Sequence, residues 1–450
     1  MRTYPIHKRR LTSSQIIIIG FLFVILTGSF LLMLPISSKN GQMTSFLDAI
    51  FTATSATCVT GLVVHDTATY WSWFGQIVIL LMIQVGGMGV VTIAVSAATI
   101  SGRKIGLMQR STMQEAISAP SVGGIVRLTG FILKCSLVIE LTGMIFMIPV
   151  FGKEFGIGKG LWYSLFHSIS AFCNAGFDLM GIRERYSSLT GYSGHGWINL
   201  VIMGLIIVGG IGFITWDDIK RNKFHFRRYR LQSKVILIMT GILILFPFCY
   251  FLFGEFMKPE WNEWTLGNKI WASLFQAVTP RTAGFNTVDL NLFSESGKMI
   301  IILLMLIGGS PGSTAGGMKT TTVAVLFLNL FAVFKRKEDT ECFGRRIEES
   351  TIRYAATILL MYFTLCMTGG IIISRLEELP IVTCLFETAS AIGTVGLTLG
   401  ITPGLGAVSR VILIILMFLG RVGGLTLVFA AFSGTQKNLS KLPKEKITVG

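Results

Sequence analysis

Four segments of this 450-residue chain share a pattern suited to stripping water from a cation. They read LDAIFTATSATCVTGL (47–62), LWYSLFHSISAFCNAGF (161–177), IWASLFQAVTPRTAGF (270–285) and IVTCLFETASAIGTVGL (381–397). Each is about three helical turns of small and aromatic residues running into a glycine that is followed by Leu or Phe. A cation leaving water must exchange its hydration shell for other oxygens, and a ring of backbone carbonyls can supply them. Glycine tolerates φ > 0, which lets neighbouring carbonyls turn toward an axis. The candidate coordinating groups are Val59, Thr60 and Gly61; Asn174, Ala175 and Gly176; Thr282, Ala283 and Gly284; and Thr394, Val395 and Gly396. Side chains vary among the four while the glycine does not, as expected if carbonyls coordinate. No segment reproduces the potassium-channel run T-V-G-Y-G, although GTVGL (393–397) comes near. The alternative is that these are ordinary C-caps of re-entrant helices, which would still put the glycines at membrane depth.

A second stretch with chemical potential is IGGSPGSTAGGMKTT (307–321). Its spacing approaches the phosphate-binding G-x-x-x-x-G-K-[ST], but Met318 intervenes before Lys319, and an apolar run precedes it where a strand is required. The nucleotide reading is therefore poor. Pro311 removes a backbone donor and disfavours helix. With Gly308, Gly309, Gly312, Gly316 and Gly317 around it, and Ser310, Ser313, Thr314 and Ala315 between them, the stretch is predicted to break a membrane helix. Freed amides and hydroxyls need partners or a water-filled lumen, so the predicted role is a polar loop across a pore that obstructs it until moved aside. Arg421 is the charge expected beside that loop: an arginine at mid-bilayer costs roughly 2.5–3.5 kcal/mol, and its place some twelve residues before the helix end argues against snorkelling. Lys319 lies nearer the membrane surface and has a lesser role. Arg281 braces the third segment or tunes ion access. Glu140, Lys134 and Glu387 are read as helix–helix contacts.

The elements that must position these residues are membrane helices. Hydrophobic residues make up 52% of the chain and charged ones 14%, against about 25% charged in soluble domains. Apolar runs at 15–34, 73–100, 128–151, 197–215, 235–253, 299–334, 354–373 and 411–432 each approach the roughly 20 residues that span a bilayer, predicting eight spans. The first run follows Arg2, Lys8, Arg9 and Arg10, but its length and the lack of a small-residue cleavage site predict a retained helix, not a signal peptide.

The net charge of +16 is explained by topology. Alternate connections, counted from the N-terminus to the tail, hold 25 of the 39 Lys and Arg. By the positive-inside rule this places both termini in the cytoplasm of a plasma-membrane protein, and nucleic acid is not needed as a partner. Seven scattered cysteines and five histidines form no disulfide or metal spacing. No catalytic motif appears, so an enzyme is not expected.

The four glycines recur at intervals of 115, 108 and 112 residues, a regularity that marks internal repetition. Phenylalanine precedes the glycine by ten at Phe51, Phe166 and Phe386 but by nine at Phe275, so the third repeat is irregular by one residue around Thr279-Pro280-Arg281. A second shared mark follows each: QVGGMG (84–89), IVGGIG (207–212), LIGGSPG (306–312) and LGRVGG (419–424). Glycine there suits close helix packing. Amphipathic surface helices are the competing reading of the four segments, but they do not account for four endings in glycine followed by a large apolar residue. The predicted fold class is an all-α integral membrane protein. It has four helix–pore-helix–helix repeats around one central pore, at 12–100, 124–216, 233–334 (with the broken helix) and 351–434, and a cytoplasmic tail at 435–450.

These units, with TPRTAGFNT (279–287) in the third and GGSPGSTAGGMKT (308–320) after it, resemble the Trk/Ktr/HKT superfamily of potassium transporters over essentially the whole chain. Eight spans without an added N-terminal pair look more like the bacterial KtrB-type translocation subunit than the longer TrkH type. The resemblance implies a potassium-selecting filter at the four glycines, with Gly61 matching the potassium pattern where some sodium-transporting plant members have serine. It also implies an intramembrane gating loop at 308–317 with Arg421 beside it. Further implications are a homodimer carrying a cytosolic RCK (KTN) ring that binds ATP or ADP, and no nucleotide on this chain; sodium is a candidate activator.

Two functions follow. One is passive potassium uptake through a channel-like pore, driven by the membrane potential at about 2.3 kcal/mol per charge per 100 mV. The other is a sodium- or proton-coupled symporter, although such sites usually carry intramembrane acids and the filter-like segments do not. The basic loops at 220–234 and 335–353 meet anionic lipid or dock the ring.

Overall fold

A computed structural model describes residues 12–100, 105–117, 123–423, 443 and 445. The basic N-terminal cluster, the second half of the eighth apolar run and nearly all of the expected tail lie outside these residues. The fold is all-α and membrane-embedded, four helix–pore-helix–helix units around one central pore. Among the described residues the only strands form a hairpin, Glu341–Cys342 with Arg345–Arg346.

The first helix of each unit is continuous and long enough to cross a bilayer: Ser13–Met33, Ile125–Phe155, Leu231–Glu255 and Glu349–Glu377. Their apolar sides are exposed in rows, including Phe23 and Phe30 on the first and Phe246 and Phe253 on the third, as a lipid-facing surface requires. Thr12 opens the first helix with a capping box, its hydroxyl accepting from the Gln15 amide.

The pore helices are Phe46–Thr57, Ile157–Phe172, Leu266–Val278 and Ile381–Gly393. At 1.5 Å per residue each spans about 18–24 Å, too short to cross. Their aromatic anchors Phe51, Phe166, Phe275 and Phe386 are fully buried.

The second helices depart from the sequence expectation of full spans. Trp73–Met88, Gly196–Gly210, Glu295–Leu306 and Ala407–Val422 are all short. The first two turn by 94° and 96° into Val90–Ile100 and Phe213–Asn222. The third gives way to an irregular segment before Thr320–Phe334. The fourth ends at Gly423, the limit of the described residues there. Interruption is thus shared by the first three units and is not a property of the third alone. Gly89, Gly212 and Gly423 stand three residues after the repeat glycines Gly86, Gly209 and Gly420 and take φ of 85°, 91° and 87°, a region that ends a helix cleanly only with glycine.

Each second helix packs on the pore helix of its neighbouring unit: first on second, second on third, third on fourth, and fourth back on first. The last contact closes the ring, tied at its edge by the Arg410–Asp48 salt bridge at 2.6 Å.

Candidate functional site

The ends of the four pore helices converge. Val59, Asn174, Thr282 and Thr394 all take the left-handed conformation, with φ of 58°, 58°, 62° and 50°, and the glycines two residues later have φ of 95°, 68°, 78° and 95°. Such strain at non-glycine residues persists only where the surroundings over-determine it. The first, second and fourth segments end alike: the amides of Thr60, Ala175 and Val395 each donate at 2.8 Å to the carbonyl five residues back, at Ser55, Ser170 and Ser390. The third uses the shorter Ala283-to-Thr279 bond at 3.0 Å, which absorbs its one-residue irregularity.

The glycines touch in a cycle. A Cβ on Gly61 would sit 2.6 Å from the Ala175 carbonyl oxygen, and one on Gly176 would sit 2.8 Å from that of Ala283. One on Gly284 would overlap the Val395 carbonyl, and one on Gly396 the Thr60 carbonyl. No larger residue fits at any of the four. The pore-helix C-termini, carrying partial negative charge, face the same centre. The hydroxyls of Thr60, Thr282 and Thr394 are buried without a protein partner. An oxygen-rich site of this kind suits a monovalent cation as cargo, and no cluster for a resident metal occurs among the described residues.

Sequence reasoning missed the hydroxyls that hold these segments. Ser55 and Ser390 accept the amides of Gly61 and Gly396 at 3.1 and 3.0 Å. Ser170 and Thr279 donate to the carbonyls of Phe177 and Phe285 at 2.7 and 2.6 Å. The signal was present: a hydroxyl six residues before the glycine in three repeats and five before it in the third.

On one side of the ring a cavity of about 350 Å³ is bounded by the four glycines and carries Asp66, Asp178 and Asp289. On the other lies a cavity of about 290 Å³ lined by Gly312, Ser313, Ala315 and Gly317 together with Lys319 and Arg421. Carboxylates at a mouth of this kind raise the local concentration of cations, and the second cavity carries Glu115 beside its two basic side chains.

The 308–317 segment separates that inner cavity from the ring. Substitution of Gly316 would strike Thr394, and a Cβ on Gly317 would lie 2.7 Å from the Gly393 carbonyl. Thr314 donates to the Phe172 carbonyl at 3.0 Å and to Asn174 Oδ1 at 3.3 Å. The amides of Gly308 and Gly309 bond to Met318 and Gly316, those of Ser310 and Thr314 to Gly210 and Gly209, and that of Gly317 to Gly420. Ser313 bonds to the Ser310 carbonyl at 2.7 Å, and the Ser310 hydroxyl pairs with that of Thr320 at 3.1 Å. The Pro311 carbonyl lies against Gly212. Protein partners thus fasten the loop on several sides, while Gly312, Ser313, Ala315 and Gly317 border the cavity.

Arg421 donates to the carbonyls of Thr314 and Gly86, and to that of Gly87 at 3.0 Å. It stands at the repeat position occupied by Gly87, Gly210 and Gly309 elsewhere. Lys319 binds the Ala315 and Gly316 carbonyls at 2.9 and 3.3 Å. Arg281 is buried with a single side-chain bond, to Thr240 at 3.3 Å, and its own carbonyl accepts from Asn174. Glu140 receives Gln84 at 2.9 Å, a contact between units. Glu387 bonds within its own unit, to Thr398 and, at 3.0 Å, Thr402. Lys134 is exposed and forms no salt bridge among the described residues.

Residues 4–441 match the family model described as TrkH, cation transport protein. The chain belongs to this family. It is 39% identical to the potassium/sodium uptake protein NtpJ of Enterococcus hirae, covering 98% of each chain. It is 40% identical to the Ktr system potassium uptake protein B of Bacillus subtilis, covering 98% of this chain and 97% of that one. In fold it is similar to the crystal structure of the potassium transporter TrkH from Vibrio parahaemolyticus, with a TM-score of 0.71 at 18% identity over 95% of this chain and 86% of that one. Members of this family are cation transport proteins.

Proposed function

We propose that this chain is the ion-translocating subunit of a potassium-uptake system. Cations dehydrate at the carbonyls of 59–61, 174–176, 282–284 and 394–396, pass one pore per chain, and are stopped below by the 308–317 loop pinned by Arg421. The observation that carries this reading is the closed cycle of glycine-to-carbonyl contacts from Gly61 through Gly176 and Gly284 to Gly396, since a ring with one narrow aperture is what selection by carbonyls needs. The printed names of the relatives from Enterococcus hirae and Bacillus subtilis support potassium as cargo.

Flow is down the electrochemical gradient, at about 2.3 kcal/mol per charge per 100 mV. Both termini and the basic loops face the cytoplasm. Two copies assemble with a cytosolic RCK-type ring that carries the nucleotide, and sodium activates without being carried in fixed proportion. The four repeats run over 12–100, 124–216, 233–334 and 351–434.

Reconstitution into liposomes tests this, with rubidium uptake measured against an imposed potential in the presence and absence of sodium. Uptake that follows the potential, with sodium changing rate but not co-moving, is the expected result. Sodium entering in constant ratio to rubidium would convert the assignment to a symporter.

A further inference from the structure

Potassium transport as proposed does not use a basic recess at the start of the membrane helix Leu231–Glu255. A cavity of about 310 Å³ is walled by Arg227, Arg228, Arg230, Lys234 and Arg345, with Phe343 at its edge and no acidic residue in its lining. Two separate loops build it: the turn before the membrane helix Leu231–Glu255, and the hairpin Glu341–Cys342 with Arg345–Arg346. The hairpin turns through Phe343 and Gly344 at φ of 51° and 72°, the paired positive values of a tight two-residue turn. This sets Phe343 against Phe226, with ring centres 6.3 Å apart, and under the Lys234 ammonium at 5.6 Å.

Nearby acids are already engaged. Asp217 and Asp218 pair with Arg230, Asp339 with Arg346, and Glu341 with Lys337. Arg227, Arg228, Lys234 and Arg345 have no carboxylate partner among the described residues, so four positive charges face one small space.

Depth in the membrane selects the ligand. Leu231, the first residue of a membrane-crossing helix, lines the recess. Phe224 beside it is fully exposed, and Phe226 and Phe343 are partly so. Exposed aromatic rings next to unpaired cations at a helix end match the headgroup layer, where rings settle and phosphates lie. Arginine offers a planar fork that fits phosphate oxygens in pairs. We propose that this recess binds the phosphate of an anionic phospholipid. It is a bound-lipid site distinct from the ion path, and it lies in the inner leaflet if the proposed orientation holds.

The test uses the full chain purified in detergent, following its thermal unfolding midpoint as phosphatidylglycerol or phosphatidylcholine is added in mixed micelles. Parallel arms contain inorganic phosphate and glycerol phosphate. Phosphatidylglycerol alone should raise the midpoint. Arg228→Ala or Arg345→Ala should raise its half-saturating concentration about fivefold each, and the pair about 25-fold. Arg353→Ala, which removes a cation paired with Glu349 outside the recess, should change nothing. Arg228→Gln gives the same readout should Arg345→Ala disturb the hairpin.

Equal stabilisation by phosphatidylcholine, or an unaltered phosphatidylglycerol response in the variants, overturns the proposal. Equal stabilisation by the soluble phosphates makes this a free-anion site and overturns the lipid assignment. Variants that keep the lipid response but lose response to a cytosolic ring would identify a protein-docking face instead. None of these readouts involves ion flux, so failure here leaves the transport reading standing, and failure of that reading leaves this one.

Discussion

The four pore-helix ends and the C-terminal ends of the four second helices lie close together around the pore, yet they treat repetition differently. At the pore-helix ends the backbone is nearly fourfold: the same left-handed residue, the same glycine two places on, and a hydroxyl behind it. At the second-helix ends the shared glycine has diverged. Two units bend by 94° and 96°, one carries a ten-residue loop, and one places Arg421 where the others have glycine. Converging carbonyls demand symmetry, because each must sit at a similar distance from a single ion. Obstruction demands asymmetry, because one loop suffices to fill a narrow lumen and something must hold it.

If the comparison is sound, breaking the symmetric region should have the largest effect. Gly396→Ala forces a Cβ into the Thr60 carbonyl at φ of 95°. With strain of this kind costing about 1–3 kcal/mol, rubidium flux in liposomes should fall by at least about fivefold. Gly61→Ser should lower potassium-over-sodium selectivity, and an unchanged permeability ratio would remove these glycines from ion selection. Next in size, deleting 308–317 should raise flux without altering that ratio; a loss of flux in correctly inserted protein would contradict an obstructing loop.

Arg421→Ala removes one side chain that joins the Thr314, Gly86 and Gly87 carbonyls. Charge-assisted bonds of roughly 1.5–3 kcal/mol each imply a clear gain in open probability in single-channel or flux records. Selectivity should stay as it was, and a shift in selectivity alone would misplace Arg421. The smallest effects sharpen the boundary between the regions. Thr314→Val takes away one hydroxyl anchor to Phe172 and Asn174, worth about 1 kcal/mol, and should shift gating by about fivefold. Ser55→Ala and Ser390→Ala should instead weaken selectivity by a similar factor while leaving gating alone. Should Thr314→Val alter selectivity as much as Ser55→Ala does, ring and loop act as a single unit.

Much of the fold was legible because membranes impose strict lengths. Residues 15–34, 235–253 and 354–373 could be nothing but spanning helices, and the pore-helix segments were too short for that and too apolar for loops. The candidate coordinating residues were legible for a different reason: a glycine kept at matching places amid changing neighbours points to backbone geometry. The bends at Gly89 and Gly212 were not legible, since an apolar run of 28 residues at 73–100 reads as one helix whether straight or folded by 94°. Ser55, Ser170, Thr279 and Ser390 share a spacing to the repeat glycine, but a hydroxyl in a pore helix gains a role only once its partner six or seven residues away is seen.

The sequence by itself determined that this chain lies in a membrane, that it repeats four times, and where glycine lets its backbone take positive φ, because hydropathy, spacing and glycine content are local properties. Only the tertiary structure decided that the four glycines meet one another's neighbouring carbonyls in a closed cycle, that the loop's hydroxyls are satisfied by protein, and that Arg421 reaches across from the fourth unit to the first. The glycine cycle, the Thr314 bonds and the Arg421 bonds join residues more than a hundred positions apart, and their geometry is set by how the units pack around the axis, which no single stretch of chain encodes.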